Sequence, residues 1–289
     1  MTIVAYAQRI DGAYRVGDLR LPSITSVLAP IKPEYPPHPR YMQRGSLVHL
    51  AMQAQIEGTV GDAYIDEWCE WEIGRNGYCL QIDWVLPYVT SAINWCAEHV
   101  IRARRIETPG ANVTLGYAGT PDIDGGELVD DSGQWLIDGK TQDSVSPSPW
   151  FLAQIAMQAR LETVAYVDGR NEPYGARTAY GSLLIGADGA QLRTWTQAQV
   201  DDALWRCVTP LLWMRAMDAG TLNLEHIPGG YDMARLRRFA ESNLSAWLSE
   251  RRKAGYFPER VRSKTARRSA ADVRADRNAE AFGFTEVHR

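Results

Sequence analysis

Two rhythms of apolar residues alternate along the chain, one near 3.6 residues and one near 2. From Tyr41 to Glu57, Leu47, Leu50, Ala51 and Ala54 recur at helical spacing, which predicts an amphipathic helix. Trp84 to Val100 repeats the pattern with Val85, Tyr88, Val89, Ala92 and Cys96. Arg102 to Thr108, Val113 to Ile123 and the run Trp135-Leu136-Ile137 read as strands, and Asp130-Asp131-Ser132-Gly133 supplies turn chemistry before the last of them. Ser148 and Pro149 open a further helix as N-cap and first helical residue. Thr178 to Ile185 and Gln191 to Trp195 predict a hairpin about Ala187-Asp188-Gly189-Ala190. Gln197 to Met217 predicts a helix that Pro210 kinks, and Asp232 to Lys253 an amphipathic one. Near the start, Leu21 to Leu28 reads as the capped start of a short helix, and the prolines between Lys32 and Arg40 impose an irregular segment. Helix, strands, helix, strands, helix is the order of an α/β core.

Strand geometry brings chemistry into this pattern. Side chains alternate faces with period 2, so Asp138 and Lys140 project from the same side of their strand. Two antiparallel strands folded about a turn near Asp131 set Asp122 opposite Asp138. Two carboxylates and one ammonium then converge, with Glu107 on the preceding strand as a further acid. Oxygen donors of this kind suit Mg²⁺ or Mn²⁺ rather than zinc. Asp124, two residues from Asp122 and on its face, competes with it as the ligand, and Glu107 has an alternative as an ordinary surface acid.

Four stretches in order, Gly45-Ser46-Leu47-Val48-His49, Gly119-Thr120-Pro121-Asp122, Asp138-Gly139-Lys140-Thr141 and Gln154-Ile155-Ala156-Met157-Gln158, span much of residues 23–166. In these the chain resembles the PD-(D/E)xK nuclease superfamily, in its RecB-like and phage (lambda-exonuclease-like) exonuclease branch. The resemblance implies a restriction-endonuclease-like core: a mixed central β-sheet flanked by helices, with added N- and C-terminal helices. It implies a metal-dependent DNA exonuclease acting in end processing or recombination. Asp122, Asp138, Glu107 and the Gly139 carbonyl would ligate metal, and His49 would hold a second ion, so one or two ions per site are expected. Lys140 would orient or deprotonate the attacking water, and Gln154 would hold a substrate phosphate or order the surroundings of Lys140. The branch carries Tyr four residues after this Gln; here Gln158 stands there, sharing a helix face with Gln154, and both are candidate DNA contacts. Linear DNA ends and a single-strand annealing or recombination protein are the expected partners, in a bacterium or a phage-infected host cell. A structure-specific or restriction-type endonuclease, and a non-catalytic DNA-binding protein with a decayed site, stay open beside this reading, as do cleavage polarity and homo-oligomerisation.

Composition changes the picture in one respect. The chain of 289 residues, 45% hydrophobic and 23% charged, is ordinary for a globular protein. It carries neither an 18-residue apolar run nor a signal-peptide pattern at its start, so a cytoplasmic protein with no membrane partner is expected. Its net charge of −4 is unevenly spread: Arg235 to Arg277 holds thirteen Lys or Arg against five Asp or Glu, which leaves an excess of twelve negative charges elsewhere. We therefore expect a nuclease domain over 1–230 and a basic helical extension over 231–289. Arg251, Arg252, Lys253 and the tail from Val261 would contact phosphates. The four cysteines form no C-x-x-C pair. Some RecB-like nucleases hold an iron–sulfur cluster with one early and three late cysteines; none follows Cys207 here, so no cluster is expected and reduced, buried thiols are.

Overall fold

The computed structural model describes residues 7–10, 13–16, 19–32, 39–59, 82–142, 148–165, 171–173, 175–221 and 232–254. Three short strands, β1 (Ala7–Ile10), β2 (Ala13–Val16) and β3 (Leu19–Leu21), precede α1 (Ile24–Val27), whose Ser23 cap accepts the Ser26 N–H. Then come α2 (Pro39–Glu57) and α3 (Ile82–His99), followed by β4 (Val100–Arg102), β5 (Arg105–Ile106), β6 (Gly110–Asn112) and β7 (Tyr117–Gly119). The long hairpin β8 (Ile123–Leu128) and β9 (Asp131–Thr141) leads to α4 (Pro149–Gln158). After β10 (Thr163–Ala165) and β11 (Asn171–Pro173) the chain forms the hairpin β12 (Ala179–Gly186) and β13 (Gly189–Trp195). The last described elements are α5 (Gln197–Ala203), a π turn (Leu204–Val208), α6 (Thr209–Asp218) and α7 (Met233–Lys253).

The molecule is α/β, with a mixed central sheet ordered β13-β12-β9-β8-β4 and β5 also pairing β8. The β9 and β12 pair is parallel and the other pairs of this sheet are antiparallel. A parallel pair needs a crossover, and α4 lies in it. Alternation along β9 divides the core. Trp135 and Ile137, with Leu183 and Ile185, pack with Leu47, Val48, Ala51 and Met52 of α2 and Val85, Val89 and Ala92 of α3. Leu136 and Tyr180 pack instead with Leu152, Ile155 and Ala156 of α4 and with Val200, Val208 and Leu211 farther on. Asp138 continues the even series, so the period-2 reading sends it toward α4. Burying each large apolar side chain contributes about 1.5–3 kcal/mol. Leu152, Ile155 and Met157 together therefore fix the rotation of α4 and aim its glutamines.

The hairpin expectation is met in register: Ile123 pairs Ile137, so Asp122 and Asp138 are the next residues outward on the two strands. Val113 to Ile123 is not one strand, however. Gly116, at φ +73°, turns β6 into β7 of a second sheet, ordered β11-β10-β6-β7, and Thr120-Pro121-Asp122 then carries the chain across to β8. Pro121, lacking an N–H, suits a step between sheets and not a ladder. Arg102 to Thr108 is likewise two short strands, with Glu107 just past the second. In the helix from Gln197, Pro210 falls at the head of α6 and the break before it takes the form of a π turn. Trp247 of α7 is buried in the same core as α4, so the described part of the C-terminal extension packs on the main body. Among the described residues no helix is long and apolar enough to cross a membrane. The expectations for Cys69, Cys79, the prolines at 33–37 and the tail from Val261 lie outside the described residues.

Candidate metal centre

His49, Glu107 and Asp122 meet at the edge of the central sheet. One donor atom from each lies within 4.8 Å of the others. The imidazole Nδ1 stands 3.0 Å from Glu107 Oε1 and 3.3 Å from Asp122 Oδ1. Each reaches this point for a separate reason. His49 is on α2, which is held to the sheet by its buried stripe. Glu107 has φ +47°, a left-handed conformation that costs a non-glycine residue free energy, of order 1–3 kcal/mol. Its N–H donates to the Asp122 carbonyl at 3.1 Å, which ties it to the step between the sheets. Asp122 is 6% exposed, and its Oδ2 accepts the Gly139 N–H at 2.5 Å. A Cβ at 139 would stand 3.3 Å from both Asp122 Oδ2 and Met52 Sδ, a tight fit that one of them would have to ease by a few tenths of an ångström. Gly119 is more closely confined, since a Cβ there would come within 2.3 Å of Ile24 Cδ1.

Asp138 lies behind this group and is 1% exposed. Its Oδ1 accepts from Gln154 Nε2 at 2.7 Å and from Gln158 Nε2 at 2.8 Å, and its Oδ2 pairs with Lys140 Nζ. Removing a carboxylate from water costs several kcal/mol even after relaxation. Hydrogen bonds to a charged group return about 1.5–3 kcal/mol each, so three donors are needed where one would not suffice. Lys140 Nζ also donates to the Gly139 carbonyl at 3.1 Å. Of the five expected ligands, His49, Glu107 and Asp122 thus form the compact donor group, while Asp138 and the Gly139 carbonyl are held by neighbouring side chains.

The charges are unequal by design of the fold. Burial opposes a charged His49, but the Asp122 and Glu107 carboxylates outweigh it and raise its pKa well above the ordinary value. Burial raises Glu107, helped by the Asp122 charge and opposed by His49. Asp122 is held below the usual carboxylate range: burial pushes it up, and His49, Lys140 and the Gly139 N–H pull it down further. Burial raises Asp138 against the pull of Lys140. Three carboxylates against one imidazole and one ammonium leave an excess of negative charge suited to a cation. His49 and Glu107 are 28% and 30% exposed, so the group opens to solvent on their side. This His49, Glu107 and Asp122 group can hold a metal ion.

Asp124 does not join it. Arg105 donates to one Asp124 oxygen at 2.8 Å and Arg177 to the other at 2.6 Å, all three side chains being 3–4% exposed. Arg105 stands two residues before Glu107 and Asp124 two after Asp122, and Arg177 also donates to the Gln158 carbonyl at 2.9 Å. This ionic cluster links the segments that carry Glu107, Asp122 and Gln158. Sequence reasoning missed it, since its members lie 19 and 53 residues apart and no local pattern joins them.

The expected DNA contacts divide. Gln158 is 1% exposed and turned inward onto Asp138, as is the amide of the less buried Gln154. Arg251 pairs with Asp202 at 2.6 Å and lies over the Trp247 ring, whereas Arg252 and Lys253 are exposed. Compared with known proteins, the chain matches no family model and no curated protein.

Proposed function

We propose that the protein is a Mg²⁺- or Mn²⁺-dependent deoxyribonuclease that hydrolyses phosphodiester bonds at linear DNA ends. One observation carries this reading: His49, Glu107 and Asp122 gather within 4.8 Å beside an Asp138–Lys140 pair on the adjoining strand. The donor set, one imidazole and carboxylate oxygens with surplus negative charge, fits a hard dication and gives a soft metal no thiolate. His49, Glu107 and Asp122 would hold the ion, with Asp138 oriented for it by Gln154 and Gln158. A divalent cation there supplies charge neutralisation at the phosphate and water of lowered pKa.

The remaining steps belong to the chain. Lys140, fixed between Asp138 and the Gly139 carbonyl, orients the attacking water and offers a proton-bearing ammonium to the charge that builds on the phosphoryl oxygens. Its ammonium stands 5.3 Å from the Trp150 ring centroid and 5.9 Å from that of Phe151, which shield it from bulk water on that side. Asp122, held anionic by its neighbours, keeps its oxygens available across the neutral pH range. The preference for DNA ends over internal sites rests on the four-motif resemblance. The test is incubation of end-labelled linear DNA and closed circular DNA with Mg²⁺ and then with EDTA. Cleavage of linear DNA alone, abolished by chelation, is the expected result. Equal cleavage of circles would turn the assignment to an endonuclease, and activity that survives chelation would remove the metal mechanism.

A further inference from the structure

On the α4 side of the sheet a tryptophan stands next to the Asp138–Lys140 pair. Trp150 is partly buried against the core and meets Phe151 edge-on at 4.7 Å, which makes it a firm platform. Two ammoniums attend its ring: Lys140 Nζ at 5.3 Å from the centroid and Lys32 Nζ at 5.5 Å. Lys32 follows the 3₁₀ turn Ala29–Ile31 and is exposed. Among the described residues no carboxylate forms an ion pair with it. In the proposed chemistry Lys140 acts on the water and the phosphate and Trp150 only shields its ammonium, whereas Lys32 takes no part.

We propose that Trp150 and Lys32 form the subsite for the nucleotide adjoining the bond to be cut, and that the strand reaches the metal group unpaired. This rests on the nuclease reading. A phosphodiester chain presents alternating flat bases and anionic phosphates, and single-strand sites pair aromatic platforms with cations to match. Here the platform and the spare cation lie together, and the ring also neighbours the lysine beside the scissile position. A base that slides onto Trp150 displaces the long, exposed Lys32 side chain from over the ring to the flanking phosphate. In a duplex the base faces are covered by their own stack, so only an unpaired nucleotide can use the platform. The inferred substrate is therefore a single strand or a frayed end.

The experiment measures anisotropy of a short labelled single strand and of its blunt duplex, with Ca²⁺ in place of Mg²⁺. It uses the full chain and its Lys32→Ala, Trp150→Phe and Trp150→Ala variants. The wild type should prefer the single strand. Trp150→Ala should lose about five- to 150-fold in single-strand affinity, the range that stacking on one aromatic ring spans, while Trp150→Phe keeps most of it. Lys32→Ala should lose less and lower the salt slope of binding by about one, as expected for one phosphate contact. In cleavage assays both losses should fall more on KM than on kcat. Lys32 is exposed, so its variant folds and decides the matter even if Trp150→Ala does not. A wild type that cuts DNA, with Lys32→Ala and any folded Trp150→Ala matching it in affinity, salt slope and strand preference, would overturn this subsite and leave the nuclease reading standing. A wild type that neither binds nor cuts DNA would overturn both.

Discussion

Asp138 shows how much of the site depends on single side chains that never meet solvent. Its two glutamine donors are not equivalent: Gln158 is buried, whereas Gln154 is partly exposed and water can replace its amide. Gln158→Leu should therefore destabilise the fold by about 1–3 kcal/mol, the cost of leaving a buried acceptor short of a donor, and Gln154→Leu by less. Thermal melts of the two variants would measure the difference, and a milder effect at 158 than at 154 would contradict the assigned burial. The cysteines make a second case. Burial pushes the Cys96 thiol up to about 12 and also raises that of Cys207. The thiolate is the reactive form, so near pH 8 both should be inert. A thiol-reactive reagent should titrate no more than two of the four cysteines in the native protein and all four in denaturant. The acids and lysine of the centre were legible in the sequence because strand alternation alone brings Asp138 and Lys140 to one face. Glu107 was legible as an acid but not in its φ of +47°, because no local pattern announces the N–H bond it makes to the Asp122 carbonyl, fifteen residues on.

Between elements, the buried Arg105–Asp124–Arg177 cluster is the least redundant link. Removing one partner leaves an uncompensated charge in the interior, which costs about 3–5 kcal/mol. Asp124→Asn should accordingly lower the denaturation midpoint more than any surface ion-pair change, for instance Arg102→Ala, whose partner Glu127 is reached from a largely exposed side chain. Where the Asp124 variant still folds, Mn²⁺ should bind with unchanged stoichiometry, because Asp124 is no ligand; calorimetric titration checks this, and a lost site would reinstate it as one. Helices α2, α3 and α7 and the β8–β9 and β12–β13 hairpins were readable from periodicity, since each buries one face. The parallel pairing of β9 with β12 was not, because it joins strands separated by the α4 crossover. Nor was the break at Thr120-Pro121-Asp122, where the apolar pattern runs on while the chain changes sheets.

For the whole molecule, the proposed function would divide binding and chemistry between a basic C-terminal stretch and an acidic body. Within that stretch Arg251 is committed to Asp202, while Arg252 and Lys253 face solvent. Deleting the tail from Val261, rich in Arg and poor in apolar residues, should weaken DNA binding and flatten its dependence on salt with little change in melting temperature. Equal salt slopes for the full chain and the truncation would leave phosphate contact to the main body. The proposed chemistry rests on one small group, so the most direct measurement is the single-turnover rate of linear-DNA cleavage in Mg²⁺ for the wild type, Asp122→Asn and Lys140→Ala, each at a DNA-saturating concentration. Asp122→Asn keeps the shape but removes the charge at the centre of the donor group, and Lys140→Ala removes the ammonium paired with Asp138, which in the proposed chemistry stands beside the reacting phosphate. Both rates should fall by at least about 10²–10³-fold while the proteins stay folded. A Lys140→Ala or Asp122→Asn protein that cuts DNA at close to the wild-type rate would contradict the assignment of this centre.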